Sequence, residues 1–565
     1  MSLFSAINVA RNALIAAQVG LQVTGNNIAN AGTPGYIRSE AVLAPAPTQR
    51  VGDLLLGLGV DVTAIVQKVD LFLEERLRGA NSDLASGETQ ENTYLQLEAV
   101  LAELGDTDLS STLSNFFGSI HDVLNQPEST SVRNLATLQG QAVADAIRRI
   151  DSRVRELRSD VNDRVIDAAD DINRLLEKIA KLNVQIVTVE GGGATPSDAI
   201  GLRDERQNAL AELSRLIDIR AVEQKSGSVT VFSGGDFLVF EGSFRGVKVE
   251  TVADRGLTAA EIRLEATDAK LQTNSGEVAG LLTSRDDVLG GFLDDLNDFA
   301  RALAFEFNKV YSQGQGLKGY SSLASEFAVD DVQAALDVAG LPYTPVNGSF
   351  EVQIRNKQTG LTQTTDIFVH LNGLDDDTTL DDLAGALNAI DGLTATITPA
   401  RKLSLSVDSP NLEFAFAGDN SGTLAALGLN TFFTGISSSD LGVSSLVRSD
   451  PALFAASRGG IGEDTQIAEQ LAAFIDAPLE SHNGASLADL YDRLAGQTSQ
   501  GASAARAVAE AFRVFQRTLQ GQQLSISGVS VDEEAIRMIT YQRMFQAAAK
   551  FITTINELLE DLVRL

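Results

Sequence analysis

The 565-residue chain has no cysteine and three histidines, His121, His370 and His482. Without cysteine there are no disulfides, thiolate-bound zinc, iron–sulfur clusters or thiol nucleophiles. Three scattered imidazoles offer little for metal binding or general-base catalysis. His121 stands among Phe116, Phe117 and Ile120 and reads as helix surface or core rather than as a ligand. Gly314-Gln-Gly316-Leu-Lys-Gly319 has the spacing of a dinucleotide-binding loop. That loop needs a strand before it and a helix after it, so that a helix N-terminus faces the pyrophosphate. Here it follows a predicted helix and reads as an exit loop. Asp375-Asp-Asp377 with Asp381 and Asp382 could attract Ca²⁺, but the glycine and terminal glutamate of an EF-hand are missing. A solvated turn capping the next helix suits these carboxylates better. No H-E-x-x-H, G-x-S-x-G or P-loop string occurs. We expect no catalytic residue, cofactor or metal ligand, and the chain reads as structural.

The elements around these residues explain more than the residues do. Lysine and arginine number 44 against 76 acidic residues, a net charge of −32. So acidic a chain repels phosphate backbones, which argues against nucleic acid as a partner. With 44% hydrophobic and 21% charged residues it is ordinary globular protein. No apolar run approaches the ~18–20 residues that span a bilayer. The opening MSLFSAINVARNALIAAQ lacks a basic leader and places Arg11 in what would be the apolar stretch, so no cleaved signal peptide is expected. The acidity is uneven. Residues 1–52 hold Arg11, Arg38 and Arg50 against Glu40, and residues 503–565 balance seven basic with seven acidic side chains. Near-neutral ends around an acidic middle suit ends buried in contacts and a solvated middle.

Both ends carry the same heptad beat. Leu3, Ile7, Ala10, Leu14, Ala17, Leu21, Thr24 and Ile28 alternate at four and three residues, predicting a helix from about Phe4 to Ala29. Gly32, Pro34 and Gly35 stop it. Met538, Tyr541, Phe545, Ala548, Ile552, Ile555, Leu559 and Leu562 repeat the pattern on a helix starting near Val531, with Ser530 and Glu533 as its capping box. Each stripe needs a partner, and pairing them would join the two ends. Val9, Val19, Val23, Ile536, Ile539, Phe551 and Leu558 would lie outside that seam and need neighbouring copies or a chaperone.

The strings at the two ends are specific. Leu21-Gln-Val-Thr-Gly-Asn-Asn-Ile-Ala-Asn30 with Gly32-Thr-Pro-Gly-Tyr36 resembles the N-terminal signature of bacterial axial flagellar proteins. Ser527-Gly-Val-Ser-Val-Asp-Glu-Glu534, Tyr541-Gln and Phe545-Gln-Ala-Ala-Ala549 resemble their C-terminal signature. In the interior, Gly280-Leu-Leu-Thr-Ser-Arg-Asp286, Ser421 to Phe433 and Asp450-Pro-Ala-Leu-Phe-Ala-Ala-Ser457 are similar to the hook-associated protein 1 family. Two departures stand out: Tyr311 where that family tends to have histidine, and Gly462-Glu463-Asp464 where it has Gly-Asp-Asn. The resemblance implies a structural part of the bacterial flagellum at the hook–filament junction, outside the cell, self-assembling into a ring or tube. It also implies type III export of the unfolded chain. The implied partners are further copies of the chain, the hook protein, hook-associated protein 3 and the export chaperone FlgN on the C-terminal helix. The self-assembly interface would comprise Leu3, Ile7, Leu14, Leu21, Ile28, Met538, Tyr541, Phe545, Ile552, Ile555, Leu559 and Leu562.

Between the ends, Tyr94, Leu97, Leu101 and Leu104 mark one helix, and Leu113 to Leu124 another that Pro127 breaks. A stripe from Ile147 to Val189, with a stutter at Val161 and Val165, predicts a long helix. Gly191-Gly-Gly193 ends it, and a return helix follows between Asp198 and Ile217. Ser228–Ser233 and Asp236–Phe240 form a hairpin about Gly234-Gly235, and a helix runs from Arg285 to about Tyr311. A β-β-α-β-β order from Gly348 marks an α+β module. The expected fold is multidomain and mainly α: paired terminal helices as a coiled coil, a long-helix bundle, and inserted β and α+β domains. The expected division is 1–75 with 503–565 as the axial core, 76–313 with 440–502 as the helical bundle with a small β element near 226–275, and 314–439 as an outer α+β domain. A hook or distal rod protein, or a soluble adhesin whose helix pair supports the β module, are the alternatives.

Overall fold

The structure is a computed structural model that describes residues 3–33, 35–51, 54–102, 108–191, 199–374 and 376–564. Pro34, Leu104, Gly192, Gly193, Asp198 and Asp375, singled out above, lie outside these residues. Helix α1 (Leu3–Ala29) leads into strands β1 (Ser39–Pro45), β2 (Thr48–Val51), β3 (Leu54–Gly57) and β4 (Val60–Gln67). Four helices follow: α2 (Leu71–Ala102), α3 (Leu109–Asn125), α4 (Thr130–Val189) and α5 (Ile200–Leu216). Next come β5 (Arg220–Glu223), β6 (Val229–Ser233), β7 (Asp236–Phe240), β8 (Ser243–Phe244), β9 (Val247–Asp254) and β10 (Leu257–Leu264). Helix α6 (Glu277–Thr283) passes through a π-helical segment, Ser284–Leu289, into α7 (Gly290–Tyr311). Then follow β11 (Ser322–Ala324), β12 (Gly348–Asn356), β13 (Thr362–Val369), α8 (Leu380–Asn388), β14 (Leu393–Ile397), β15 (Leu403–Val407) and β16 (Leu412–Ala417). Short helices α9 (Thr423–Leu427), α10 (Ser445–Ser449) and α11 (Gln466–Ala472) precede the long α12 (Leu487–Ser527) and α13 (Val531–Arg564). The fold is mainly α and multidomain, as the periodicity predicts.

Two compact units form, each discontinuous in sequence: residues 1–93, 159–285 and 503–565 make one, and 94–158 with 286–502 the other. In the first unit α1 packs on α13, and the β1–β4 pair lies on α1. Helix α2 packs on α12 through Leu73, Leu77, Ala80 and Leu519. Arg513 of α12 reaches Glu88 and Glu91 of α2, both at 3.2 Å. Within this unit, the expected stripe of α4 is buried at Val161, Val165, Ile172, Leu175, Ile179, Leu182 and Ile186, whereas Val189 is exposed. Three asparagines on α4 fasten it to the strands. Asn162 Oδ1 accepts from Ala260 N at 2.7 Å, Asn173 brackets Val247 at 2.8 Å, and Asn183 brackets Val229 at 2.8 and 3.0 Å. Asn173 and Asn183 saturate the first residues of β9 and β6, and Asn162 the open edge of β10, where backbone groups would otherwise be buried unpaired. Helix α5 returns antiparallel to α4: Arg203 meets Glu190 and Arg206 meets Asn183.

The second unit has two cores. Phe116, Phe117, Phe307, Tyr311, Phe432, Phe433, Phe454 and Phe474 form one aromatic cluster, with ring centroids 4.9–6.4 Å apart. The α+β module packs sheets β13–β12–β16 and β11–β15–β14 around α8. Its strands lie where the sequence places them. Tyr311 is wholly buried, and its phenolic oxygen accepts from Ala455 N at 3.0 Å. Asn308, one turn earlier, donates to Phe433 O and accepts from Phe432 N and Phe433 N. Asn430 takes the left-handed conformation at φ 50° and donates to Ser312 O and Gly314 O.

Several boundaries differ from the sequence reading. Helix α4 begins at Thr130 rather than near Ile147, because its first turns bury small residues, Ala136, Val143 and Ala144. Helix α2 starts at Leu71, well before Tyr94. The helical run through Ser284 begins at Glu277 rather than Arg285. Val23, expected to need a neighbouring copy or a chaperone, is 8% exposed and so is covered within the single chain. Strands β1–β4 follow α1 where no strand was anticipated.

Candidate functional site: the joined chain ends

Helix α1 runs antiparallel to α13, because Gly20 faces Tyr541 while Asn27 faces Glu534. At about 1.5 Å per residue, α13 is roughly 50 Å long. The small residues of the seam are sealed: Ala10 is 1% exposed, Ala17 0%, Thr24 2%, Ala548 6% and Ile555 3%. Around them Ile7, Leu14, Leu21, Ile28, Met538, Tyr541, Phe545, Ile552 and Leu559 are half-buried. The structure therefore brings ten of the twelve expected interface residues to the flanks and floor of one intrachain seam. The side chains of Leu3 and Leu562 lie outside the described residues. Gly20 is the point of closest approach, since a Cβ there would fall 2.5 Å from the Tyr541 ring.

At the end of the pair formed by the C-terminus of α1 and the N-terminus of α13, the two signature strings meet. Asn27 is fully buried. Its Nδ2 donates to Ser39 O at 2.9 Å and to Glu534 Oε2 at 3.0 Å. Its Oδ1 accepts from Tyr36 Oη at 2.9 Å and from Ser39 N at 3.0 Å. Arg38 Nε lies 3.1 Å from Glu534 Oε1, with the Glu534 side chain 1% exposed and that of Arg38 8%. Arg38 N donates to Ser527 O at 3.0 Å. Arg537 adds a longer pair to Glu40 at 3.8 Å. Ser530 receives Glu533 N at its hydroxyl, so the predicted N-cap forms. Burial pushes the Tyr36 phenol up from its ordinary value. Gly35 takes φ 73°, a conformation that favours glycine, and lies against the side chain of Asn208. The sequence strings pointed to these residues by type, but nothing in their spacing reveals that Asn27, Arg38 and Glu534 share one buried network. Only the antiparallel register does.

The other candidates resolve structurally. Gly316 lies against the backbone of Ala452 and Leu453, and Leu317 N donates to Ala452 O, so the Gly314–Gly319 loop is packed shut. Thr379 and Asp382 form a reciprocal capping box on α8, and Asp377 caps Asn372 and Gly373. His121 and His370 are exposed on the surface. Among the described residues no group of three or more His, Cys, Asp or Glu is placed to hold a metal, and no helix is long and apolar enough to cross a membrane.

What the chain is good for physically is holding its two ends together and offering what is left of their surfaces. One side of α13 remains apolar and open: Ile536 is 66% exposed, Ile539 51%, Phe551 47% and Leu558 54%. At 3.6 residues per turn these four lie on the side turned away from the seam.

Known proteins share both the parts and the whole. The family model of the flagellar hook-associated protein FlgK helical domain matches residues 94–325. Those of the flagella basal body rod protein and of the flagellar basal body rod FlgEFG protein C-terminal match residues 7–36 and 520–565. Flagellar hook-associated protein 1 of Salmonella typhimurium is 24% identical over 589 residues, covering 99% of this chain and 100% of the relative. The Escherichia coli protein of that name is 23% identical over 573 residues with the same coverage. The Bacillus subtilis one is 28% identical over 347 residues, covering 55% of this chain and 68% of the relative. In fold, the flagellar hook junction protein FlgK from Burkholderia pseudomallei aligns with TM-score 0.50 and 16% identity, over 80% of this chain and 100% of that one. With both terminal signatures, the helical domain between them and relatives matched end to end, the chain is similar along its whole length to flagellar hook-associated protein 1, and these matches support a structural protein of the bacterial flagellum at the junction of hook and filament.

Proposed function

We propose that the α1–α13 pair is the axial element of this junction protein, and that copies assemble through the faces the pair leaves open. The observation that carries this reading is the apolar side of α13, with Ile536, Ile539, Phe551 and Leu558 about half or more exposed in the isolated chain. Large apolar side chains left exposed along one helix mark interaction sites. Heterologous contacts repeated from copy to copy build a ring or a tube segment without two-fold symmetry. The ten described seam residues act one step back: they build the pair whose outer side makes the contact. The role is mechanical, not chemical. The hook protein on one side and hook-associated protein 3 on the other are the proposed neighbours. Export of the unfolded chain without a cleaved signal is proposed with it, FlgN covering roughly residues 526–565 until assembly.

The test is a pair of charge insertions on the open side. Ile539→Asp and Phe551→Asp should leave the melting of the purified chain within a degree or two of wild type. Cells making either variant should show hooks without filaments by electron microscopy. Normal filament number with either variant would remove the α13 face from the assembly contact.

A further inference from the structure

In the unit formed by residues 1–93, 159–285 and 503–565, a groove of about 980 Å³ opens among α2, α5 and strands β5 and β6. Arg78 of α2 lies in its wall. This side chain is 6% exposed, and its Nε has no hydrogen-bond partner. Among the described residues it makes no ion pair. The carboxylates that act on it are already engaged: the two oxygens of Glu74 accept from Gln207 and Gln523, both at 2.6 Å, and Glu75 pairs with Arg220 at 3.9 Å. A largely buried arginine whose Nε is left unpaired while its outer nitrogens border open grooves is costly to keep without a counter-charge, so a position of this kind calls for an anion. Burial pulls the Arg78 pKa down from its ordinary value.

The rest of the groove has the same sign. Arg203 is held by Glu190 and Glu223, and Arg206 by Asn183 and Gly227 O. Arg220, paired with Glu75, and Lys225 stand at the lining as well. Five cationic side chains thus face three carboxylates in a chain whose net charge is −32. A second groove of about 800 Å³, walled by neutral polar groups such as Asn81, Asn208 and Gln520, also reaches Arg78. The guanidinium is therefore buried from bulk solvent yet borders two openings.

We propose that this groove receives a carboxylate side chain of a neighbouring copy, which forms a bidentate pair with Arg78. The inference rests on the assembly reading above. An arginine fork matches a carboxylate in geometry and charge. The chain itself supplies the occupant in abundance, with exposed carboxylates such as Glu557 and Glu560 near the end of α13. Salt screens a free anion at so open a groove, whereas a carboxylate carried by an assembled neighbour arrives at high effective concentration.

Arg78→Met keeps the stem and removes the charge. The purified variant should melt at or above the wild-type temperature, while the fraction of hooks bearing filaments falls at least tenfold; Arg78→Lys should be intermediate. A photo-cross-linking residue at Val222, 37% exposed on the groove lining, should yield a copy-to-copy adduct in intact flagella at a peptide containing Asp or Glu. A melting loss of 5 °C or more in Arg78→Met would reveal an intrachain partner and overturn the inference. So would wild-type filament number, or an adduct with a different flagellar protein. Stabilisation of the free wild-type chain, but not of Arg78→Met, by 10 mM acetate or phosphate would point to a small-anion site and overturn it too. Ile539→Asp separates the two readings. If Ile539→Asp blocks filaments and Arg78→Met does not, this inference alone fails; if Ile539→Asp is silent, the assembly reading fails first.

Discussion

Asn27 makes four hydrogen bonds from a fully buried position, the whole capacity of its amide. Truncating it strands Tyr36 Oη, Ser39 N and one oxygen of Glu534 together. Asn27→Ala should therefore cost about 2–4 kcal/mol, since each stranded buried group costs about 1–3 kcal/mol and some relaxation is available. Urea unfolding of the purified chain measures it, and a loss below about 1 kcal/mol would show that the network carries little. Asp204 offers a pH test nearby. Burial pushes its carboxyl up to about 6, against the opposing bonds from Ile37 N and Gln67. In the unfolded chain it titrates near its ordinary value, about 3.9. The unfolded chain thus gives up this proton first, so the contribution of Asp204 to stability declines as pH rises from about 4 to about 6 and then levels off. Asp204→Asn, which can still accept from Gln67, should raise the melting temperature at pH 7.5 and leave it unchanged at pH 3.5. A gain of equal size at both pH values would show that the effect is not ionisation.

At the scale of elements, the seam and the open side of α13 separate two kinds of failure. Phe545→Asp and Ile552→Asp place a charge against α1, so they should loosen the pair itself and lower stability as well as abolish filament attachment. The charge insertions at Ile539 and Phe551 should affect attachment only. Gly20→Ala asks whether the pair tolerates separation. Its methyl would meet the Tyr541 ring at 2.5 Å, so the ring must swing or the helices part. Overpacking of this kind costs typically about 1–3 kcal/mol. Tyr541→Leu made together with Gly20→Ala should recover part of that loss. Strict additivity of the two changes would mean that they do not meet. The three asparagines of α4 work similarly between helix and strand, each holding one strand in place through its backbone.

Over the whole molecule, the two units have separate cores: aliphatic seams and asparagine anchors in one, an aromatic cluster and an α+β module in the other. Calorimetry should resolve two transitions. Asn27→Ala should move the one belonging to the unit that contains it, and Asn308→Ala the other, because each removes bonds made within its own unit. A single transition shifted alike by both variants would mean that the units melt as one. The acidity fits this scale as well. The excess of carboxylates lies mainly in the middle of the chain, where charge keeps the protein soluble, while the near-neutral ends are free to pack.

The sequence by itself determined what depends on near neighbours. The heptad stripes of α1 and α13, the cap at Ser530, the hairpin about Gly234 and the strands of the α+β module follow from periods of 3.5 or 2 residues and from local turn chemistry. Boundaries built from small residues, such as the first turns of α4, escaped it because alanine signals helix without marking a face. Strands β1–β4 escaped it too: their alternation is broken by a bulge between Val42 and Leu43. Only the tertiary structure decided that Asn27, Arg38 and Glu534 form one network, that Val23 is buried within the chain, and that Arg78 Nε has no partner of its own. Those properties depend on which residues distant in sequence come to share a dry volume, and long-range register, not local spacing, sets that.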